Sequence, residues 1–302
     1  MQTLLEDALS GDCVILAPAR ALRPESFRVG GPPRVASVPT CPFCDGNELE
    51  TPPEVTRLGP GAPDTPGWRV RVVPNKYPIV GDGVPGVHEV IVFSPAHDAD
   101  VGMLSPDACI DALRAMRDRA HFHLGHGHVY AQAFVNHGKA AGASIEHPHG
   151  QLLALDFVPP RIRTLAARFA AAERDLVVDD ARHGEIVSAG DVNVWCPRAS
   201  LTPFAVRVAL SVAGPRFDES SDDETDAVAI ALHDLVGRYH RLLGEPAYNL
   251  IVSSAPRDPA GPFHWWVDAV PRITVRAGFE LGTGIWVNTV LPTDAASALR
   301  GV

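Results

Sequence analysis

Two groups of residues in this chain have the types and spacing that chemistry requires. Cys41-Pro42-Phe43-Cys44 sets two thiols two residues apart on a tight turn, the spacing at which both sulfurs reach one tetrahedral zinc ion. The same spacing also suits a redox pair or two idle thiols. Further on, the segment from Asn136 to Gln151 gathers glycines, small residues and polar side chains just ahead of His147-Pro148-His149. Such a composition is costly in a core and suits a backbone that approaches a phosphate. In an extended segment His147 and His149 fall on one face. A neutral imidazole whose Nδ1 proton is fixed by a backbone carbonyl presents Nε2 as a nucleophile, and an amide such as Gln151 can bind non-bridging phosphoryl oxygens. A structural histidine pair is the alternative. His97, after the turn Ser94-Pro95-Ala96, and His147 are candidate third and fourth metal ligands, although spacing alone nominates neither.

The elements that must position these residues read as many short strands and few helices, because 28 Pro and 26 Gly punctuate the chain in small clusters. One helix begins at Ser105-Pro106-Asp107, an N-cap, an N1 proline and a first-turn acid, and runs to about Ala120. A second starts in the acidic stretch Asp218 to Glu224 and ends at Gly244, and a third covers Pro160 to about Arg174. Strands are expected at 68–73 and 89–93 before the first main helix and at 128–135 after it, with another opening at His147. The second half repeats the order, with 191–195 and 204–210 before its helix, 248–253 after it, and a last strand opening at His264-Trp265-Trp266. This order of events implies a duplicated α+β unit without strong internal sequence similarity. His121, His123, His126 and His128 at the end of the first main helix read as a solvated turn favoured by the helix dipole. Trp265 and Trp266 read as packing rather than a stacking platform.

Composition narrows the partners. The chain of 302 residues carries 26 Lys and Arg against 36 Asp and Glu, a net charge of −10, which lacks the basic field of a nucleic-acid binder. Its length suits one large domain or two of about 150 residues. No apolar run approaches the length of a membrane span, and the amino-terminal residues are acidic early, so a cytoplasmic, unprocessed protein is expected. Five scattered cysteines argue against a disulfide framework.

The motif His147-Pro148-His149-Gly150-Gln151, with Asn136 and Ser144 upstream, resembles the signature of the galactose-1-phosphate uridylyltransferase family of the histidine-triad superfamily. Arg20-Ala21-Leu22-Arg23-Pro24, the Cys41–Cys44 knuckle, Pro74-Asn75-Lys76-Tyr77-Pro78, Ser94-Pro95-Ala96-His97 and Gly278-Phe279-Glu280 resemble further segments of that family, in the same order. The resemblance implies an α+β fold of two histidine-triad-like halves, residues 1–165 and 166–302, each an antiparallel sheet with flanking helices. It assigns one zinc ion to Cys41, Cys44, His97 and His147. It makes His149 the residue that attacks the α-phosphorus of an NDP-sugar, releasing a hexose 1-phosphate and leaving a nucleotidyl-histidine that a second sugar phosphate takes up. Gln151 and Ser144 then steady phosphoryl oxygens, Asn136 orients the phosphates, Asn75 lies in the nucleoside loop, and Glu280 accepts hydrogen bonds from hexose hydroxyls. Arg20 and Arg23 are expected to reach a neighbouring subunit's site, which implies a homodimer.

Within that resemblance the first expectation is a uridylyltransferase of galactose metabolism. His264-Trp265-Trp266 stands where members with a second metal carry His-x-His, so no second metal is expected. Phe279 replaces a tyrosine, and Leu281-Gly282-Thr283-Gly284 resembles a branch with adenylyl-transferring relatives such as ADP-glucose phosphorylase. That activity is one alternative. Hydrolysis of dinucleoside polyphosphates is another, less favoured because the hydrolases carry a third histidine where this chain has Gln151. A catalytically idle nucleotide-binding protein with a structural zinc is the third.

Overall fold

In a computed structural model that describes residues 2–22, 38–212 and 214–302, alternating apolar residues build one long sheet. Among the described residues the elements are, in chain order, β1 (Thr3–Glu6), β2 (Cys13–Leu16), β3 (Thr56–Leu58), β4 (Val70–Pro74), β5 (Gly86–Val92), α1 (Pro106–Gly125), β6 (Tyr130–His137), β7 (His149–Leu155), α2 (Pro160–Ala171) and α3 (Leu176–His183). They continue with β8 (Glu185–Ser188), β9 (Val192–Cys196), β10 (Val206–Leu210), α4 (Asp222–Leu243), β11 (Tyr248–Ser253), β12 (Trp266–Pro271), α5 (Gly278–Thr283), β13 (Trp286–Asn288) and α6 (Pro292–Arg300). None of these helices is long and apolar enough to cross a membrane.

Ten strands pair in the order β3-β4-β5-β7-β6-β11-β12-β10-β9-β8, antiparallel throughout. From either outer edge inward the order is the same: β3-β4-β5-β7-β6 matches β8-β9-β10-β12-β11, with α1 and α4 in equivalent places. The expected α+β architecture of two antiparallel halves is therefore present. The halves' sheets are joined edge to edge through β6 and β11, with Asn136 opposite Asn249.

Helices α1 and α4 cover one face of the sheet. The apolar stripes of α1 (Leu113, Met116) and α4 (Leu232, Leu235, Tyr239) pack on Ile91, Leu152, Val208 and Val252. Both helices start as the sequence specifies: Ser105 Oγ accepts from the Ala108 amide, and Ser221 with Glu224 forms a reciprocal capping box. On the other face Tyr130, Leu153 and Leu155 pack with Ile162, Leu165 and Phe169 of α2 and with Trp195 and Trp266. Trp265 and Trp266 are both fully buried, so the packing reading holds.

Several elements depart from the sequence reading. Helix α1 runs five residues further, to Gly125, because Leu124 and His123 are buried rather than solvated. His123 Nε2 lies 3.0 Å from the buried Glu89, which also takes two bonds from Arg119. The third helix stops at Ala171, and the separate α3 follows, capped by Asp175 accepting from the Val177 and Val178 amides. A small sheet of β1, β2 and the parallel β13 was not expected, since strands of three or four residues carry little periodicity.

That small sheet is tied to the second half by a buried cluster. Arg207 on β10 reaches Asp7 after β1 (2.7 Å), Asp180 on α3 (2.7 Å) and Asp268 on β12 (3.1 Å). Burial alone would push Asp7 up, but the Arg207 guanidinium and the Ser10 amide outweigh it and hold the carboxyl below its ordinary value of 3.8. Stability from a depressed carboxyl is complete above that value and lost as pH falls through the folded one. Arg207→Ala is expected to cost about 3–5 kcal/mol in urea unfolding at pH 7, because it leaves buried carboxylates unpaired. The deficit should narrow below pH 3.8 as Asp7 protonates. A constant deficit from pH 7 to pH 3 would exclude this account.

Candidate active site and metal centre

The Cys-Pro-Phe-Cys segment folds as a turn in which the Cys44 amide donates to the Cys41 carbonyl (3.3 Å). Asn47 braces it, its Nδ2 donating to the carbonyls of Cys41 (2.8 Å) and Pro39 (3.0 Å). Cys44 Sγ then lies 3.4 Å from His97 Nδ1 and 3.7 Å from His147 Nδ1. Ligand atoms of Cys41, Cys44, His97 and His147 all lie within 4.8 Å of one another, and all four residues are buried. The four residues named as ligands are thus brought together from the cysteine turn, the turn that follows β5 and the residues just ahead of β7. Two sulfurs and two imidazole nitrogens fit a tetrahedral cation.

The local electrostatics point the same way. Burial pushes the Cys41 thiol up to about 11 and His147 down to about 4, so the enclosure supplies no positive charge of its own. A bound cation reverses that logic and favours thiolates. His147 Nε2 donates to the Ser94 carbonyl at 2.7 Å, which leaves Nδ1 unprotonated toward the cysteines.

Two residues on, His149 Nδ1 donates to the His147 carbonyl at 2.7 Å. Nε2 of the neutral ring therefore keeps its lone pair, and burial holds the imidazole below its ordinary value. Phe43 of the cysteine turn packs against the ring at 5.3 Å between centroids. Between the two site residues of β7, Gly150 turns to the helix face, where a Cβ would meet the Phe93 ring at 2.7 Å and Met116 Sδ at 3.0 Å. Glycine here lets α1 pack directly behind the strand that bears His149.

The loop ahead of β7 is a 3-10 turn, Lys139–Ala141, between Gly138 (φ 78°) and Gly142 (φ 90°). Asn249 pins it, its Nδ2 donating to Asn136 Oδ1 (2.8 Å) and the Ala141 carbonyl (2.9 Å). Asn136 is left its NH2 group to donate. It lines a small polar pocket with Asp100, His137, His147 and His149.

Asn75, Ser144, His149 and Gln151 line one cavity of about 150 Å³, with Phe43 and Tyr77 on its walls. Arg20 and Glu280 do not line it. Arg20 is exposed at the end of a 3-10 turn, Pro18–Leu22, and the Glu280 carboxylate accepts from the amides of Ala277 (2.9 Å) and Val287 (3.1 Å). Arg23 lies outside the described residues. Two residues at the site escaped the sequence reading. Asn249 had no motif around it, and His88, whose Nε2 lies 2.9 Å from Gln151 Oε1, is a lone histidine in a strand.

With that geometry in hand, similarity to known proteins is informative. The family described as a domain of unknown function (DUF4921) matches residues 99–299. An ADP-glucose phosphorylase of Arabidopsis thaliana is 29% identical over 339 residues, covering 99% of this chain and 92% of its own. A galactose-1-phosphate uridylyltransferase of Thermotoga maritima is 25% identical over 327 residues, covering 99% and 98%. The crystal structure of an ADP-glucose phosphorylase from Arabidopsis thaliana with bound ADP-glucose has a TM-score of 0.88 at 27% identity, covering 100% of this chain and 99% of that one. The resemblance carried by the motifs thus extends over the whole chain.

Cys41→Ala is expected to remove the bound metal, measured by elemental analysis, and to lower the melting temperature, at about 2 °C for each kcal/mol lost in a chain of this size. Cys13→Ala, away from the cluster, should change neither. Full metal content in Cys41→Ala would remove that residue from the ligand set.

Proposed function

This chain belongs to the family described as a domain of unknown function (DUF4921), and on that footing we propose that it is a nucleotidyltransferase acting on NDP-sugars through a covalent nucleotidyl-histidine at His149. The observation that carries this reading is the 2.7 Å bond from His149 Nδ1 to the His147 carbonyl, which leaves Nε2 as the available base in a cavity that Asn75, Ser144 and Gln151 also line.

In the first half-reaction the Nε2 lone pair forms a bond to the α-phosphorus while the bond to the bridging oxygen breaks, and hexose 1-phosphate leaves. In the second, an oxygen of an acceptor phosphate attacks the same phosphorus and returns His149 to its free form. Gln151 and Ser144 donate to the non-bridging oxygens, Asn136 orients the diphosphate with its free NH2, and Asn75 belongs to the nucleoside loop. The thiolates of Cys41 and Cys44 with His97 and His147 would hold one zinc ion, whose charge would stabilise the buried thiolates and brace the start of β7. Residues 1–165 would supply the metal and nucleophile, and residues 166–302 the hexose contacts, including Glu280. Because Arg20 and Glu280 stand away from the His149 cavity, the reading also includes a homodimer in which Arg20 and Arg23 serve a neighbouring subunit.

For the donor, ADP-glucose with an inorganic or sugar phosphate acceptor is favoured over the galactose pathway's UDP-glucose. Both the 29% identity and the 0.88 TM-score belong to an ADP-glucose phosphorylase, and the run after Glu280 resembles that branch. Incubation with α-32P-labelled ADP-glucose or UDP-glucose without acceptor should leave acid-labile label on the protein, chiefly from ADP-glucose. His149→Ala should carry none and lose at least about 10⁴-fold in transfer. Undiminished label in that variant would refute the histidine mechanism, and label chiefly from UDP-glucose would restore the uridylyltransferase assignment.

A further inference from the structure

His88 lies on β5, the strand beside β7, and is buried although no motif marks it. The register sets His88 opposite Leu153 and Val90 opposite Gln151, so His88 and Gln151 are diagonal neighbours on one face of the sheet. Nε2 of the ring lies 2.9 Å from Gln151 Oε1. The other nitrogen, Nδ1, faces the Ile79 backbone amide at 3.4 Å. A backbone N–H can only donate, so Nδ1 is the acceptor. In a neutral ring the proton is therefore on Nε2 and is donated to Gln151.

The consequence falls on the Gln151 amide. A carboxamide has an accepting end and a donating end, and only the donating end is of use to phosphoryl oxygens. With Oε1 held by His88, the NH2 group is the end left for the cavity that Gln151 lines with His149. The same ring is gripped by the loop that bears Asn75. The Ile79 amide makes that grip; Asn75, whose Oδ1 accepts from the Tyr77 amide at 2.8 Å, turns Nδ2 to within 3.2 Å of His88 Nε2, but with the ring proton on Nε2 both atoms are donors and no hydrogen bond joins them.

We propose that His88 is a positioning residue for the transfer reaction: it locks the Gln151 amide with its NH2 toward the phosphoryl group and links that amide to the 75–79 loop. This rests on the nucleotidyl-transfer reading above. It adds a residue that acts only through Gln151 and touches neither phosphorus nor nucleophile.

Four proteins test it: wild type, His88→Phe, Gln151→Ala and the double variant. His88→Phe keeps a ring but removes the donor, and should lower kcat with ADP-glucose by about 10- to 100-fold, toward the loss expected for a missing oxyanion donor. KM should move much less than kcat. Adding His88→Phe to Gln151→Ala should cost nothing further, whereas two independent roles would multiply. His88→Gln, which restores an N–H donor, should recover part of the rate. A wild-type kcat in His88→Phe, or multiplying losses, would overturn the proposal.

A measurement without turnover separates this inference from the functional reading. In 15N spectra of the histidine side chains, the signal that vanishes in His88→Phe should belong to a ring protonated at Nε2 and bare at Nδ1. A proton on Nδ1 would overturn the link to Gln151 whatever the activity. An Nε2–H ring in a wild-type protein that transfers from neither ADP-glucose nor UDP-glucose would uphold the link while refuting both the transfer reading and the catalytic consequence drawn from it.

Discussion

The hydrogen bond from His149 Nδ1 to the carbonyl of His147 governs the arrangement of everything around it. A histidine can attack only through an unprotonated nitrogen, and which nitrogen that is depends on where the other one donates. Here the acceptor is a main-chain oxygen two residues away, so the choice is made by the extended backbone at the start of β7. That backbone must not move, and three features hold it. His147 donates its own Nε2–H to Ser94 and turns Nδ1 to the cysteines. The Phe93 amide donates to the Pro148 carbonyl at 3.0 Å. Behind the strand, α1 sits so close that Gly150 has no room for a Cβ. The Cys-His cluster and the free Nε2 of His149 are thus one device, with His147 contributing its side chain to the first and its carbonyl to the second.

The duplicated half shows what the same scaffold becomes without that device. Strand β12 occupies the place of β7, and Trp266 and Asp268 fall where His149 and Gln151 stand. His264 still sends Nε2 to a strand-end carbonyl, that of Leu210, as His147 does to Ser94. Its Nδ1, however, meets the Asp175 carboxylate at 2.7 Å rather than a thiol. Trp266 donates to Asp268, and Asp268 pairs with Arg207. Polar groups on that face are therefore consumed by one another, and the result is a buried ion cluster that fastens the amino-terminal strands. Pairing of this kind leaves no uncommitted base, which is what a nucleophile needs to be.

Legibility in the sequence followed the range over which each signal acts. The cysteine turn, the two capped helices and the His-Pro-His segment are local, and each is set by residues within a few positions of one another. The duplicated order of elements was readable for the same reason, because strands and helices announce themselves by short-period patterns. His88 and Asn249 were not readable. Their partners lie 63 and 113 residues away, and nothing in a strand sequence says which neighbour will come alongside. His123 was misjudged on related grounds: helix-end histidines suit solvent, but Glu89, a remote strand residue, draws this one inward. The strands β1, β2 and β13 hold only three or four residues each, too few for alternation to be seen, and β13 pairs with β2 from the far end of the chain.

The division between strands and loops also explains why the chemistry was easier to read than the substrate. The groups that orient His149 lie where β5 ends and β7 begins and on the knuckle in front of them, where backbone hydrogen bonding allows few alternatives. Another wall of the cavity is the loop of residues 75–79, and Tyr77 and Ile79 on it are 79% and 70% exposed. A loop can change what it contacts by small shifts of backbone or a single side chain while the strands behind it stay as they are. Relatives with one transfer scaffold and different nucleotides are what such a construction permits. His88 is where the two parts meet, because one ring accepts from the loop at Ile79 and donates to the strand at Gln151. A loop that settles differently changes the purchase on that ring, and so reaches the Gln151 amide without any change in the strands themselves.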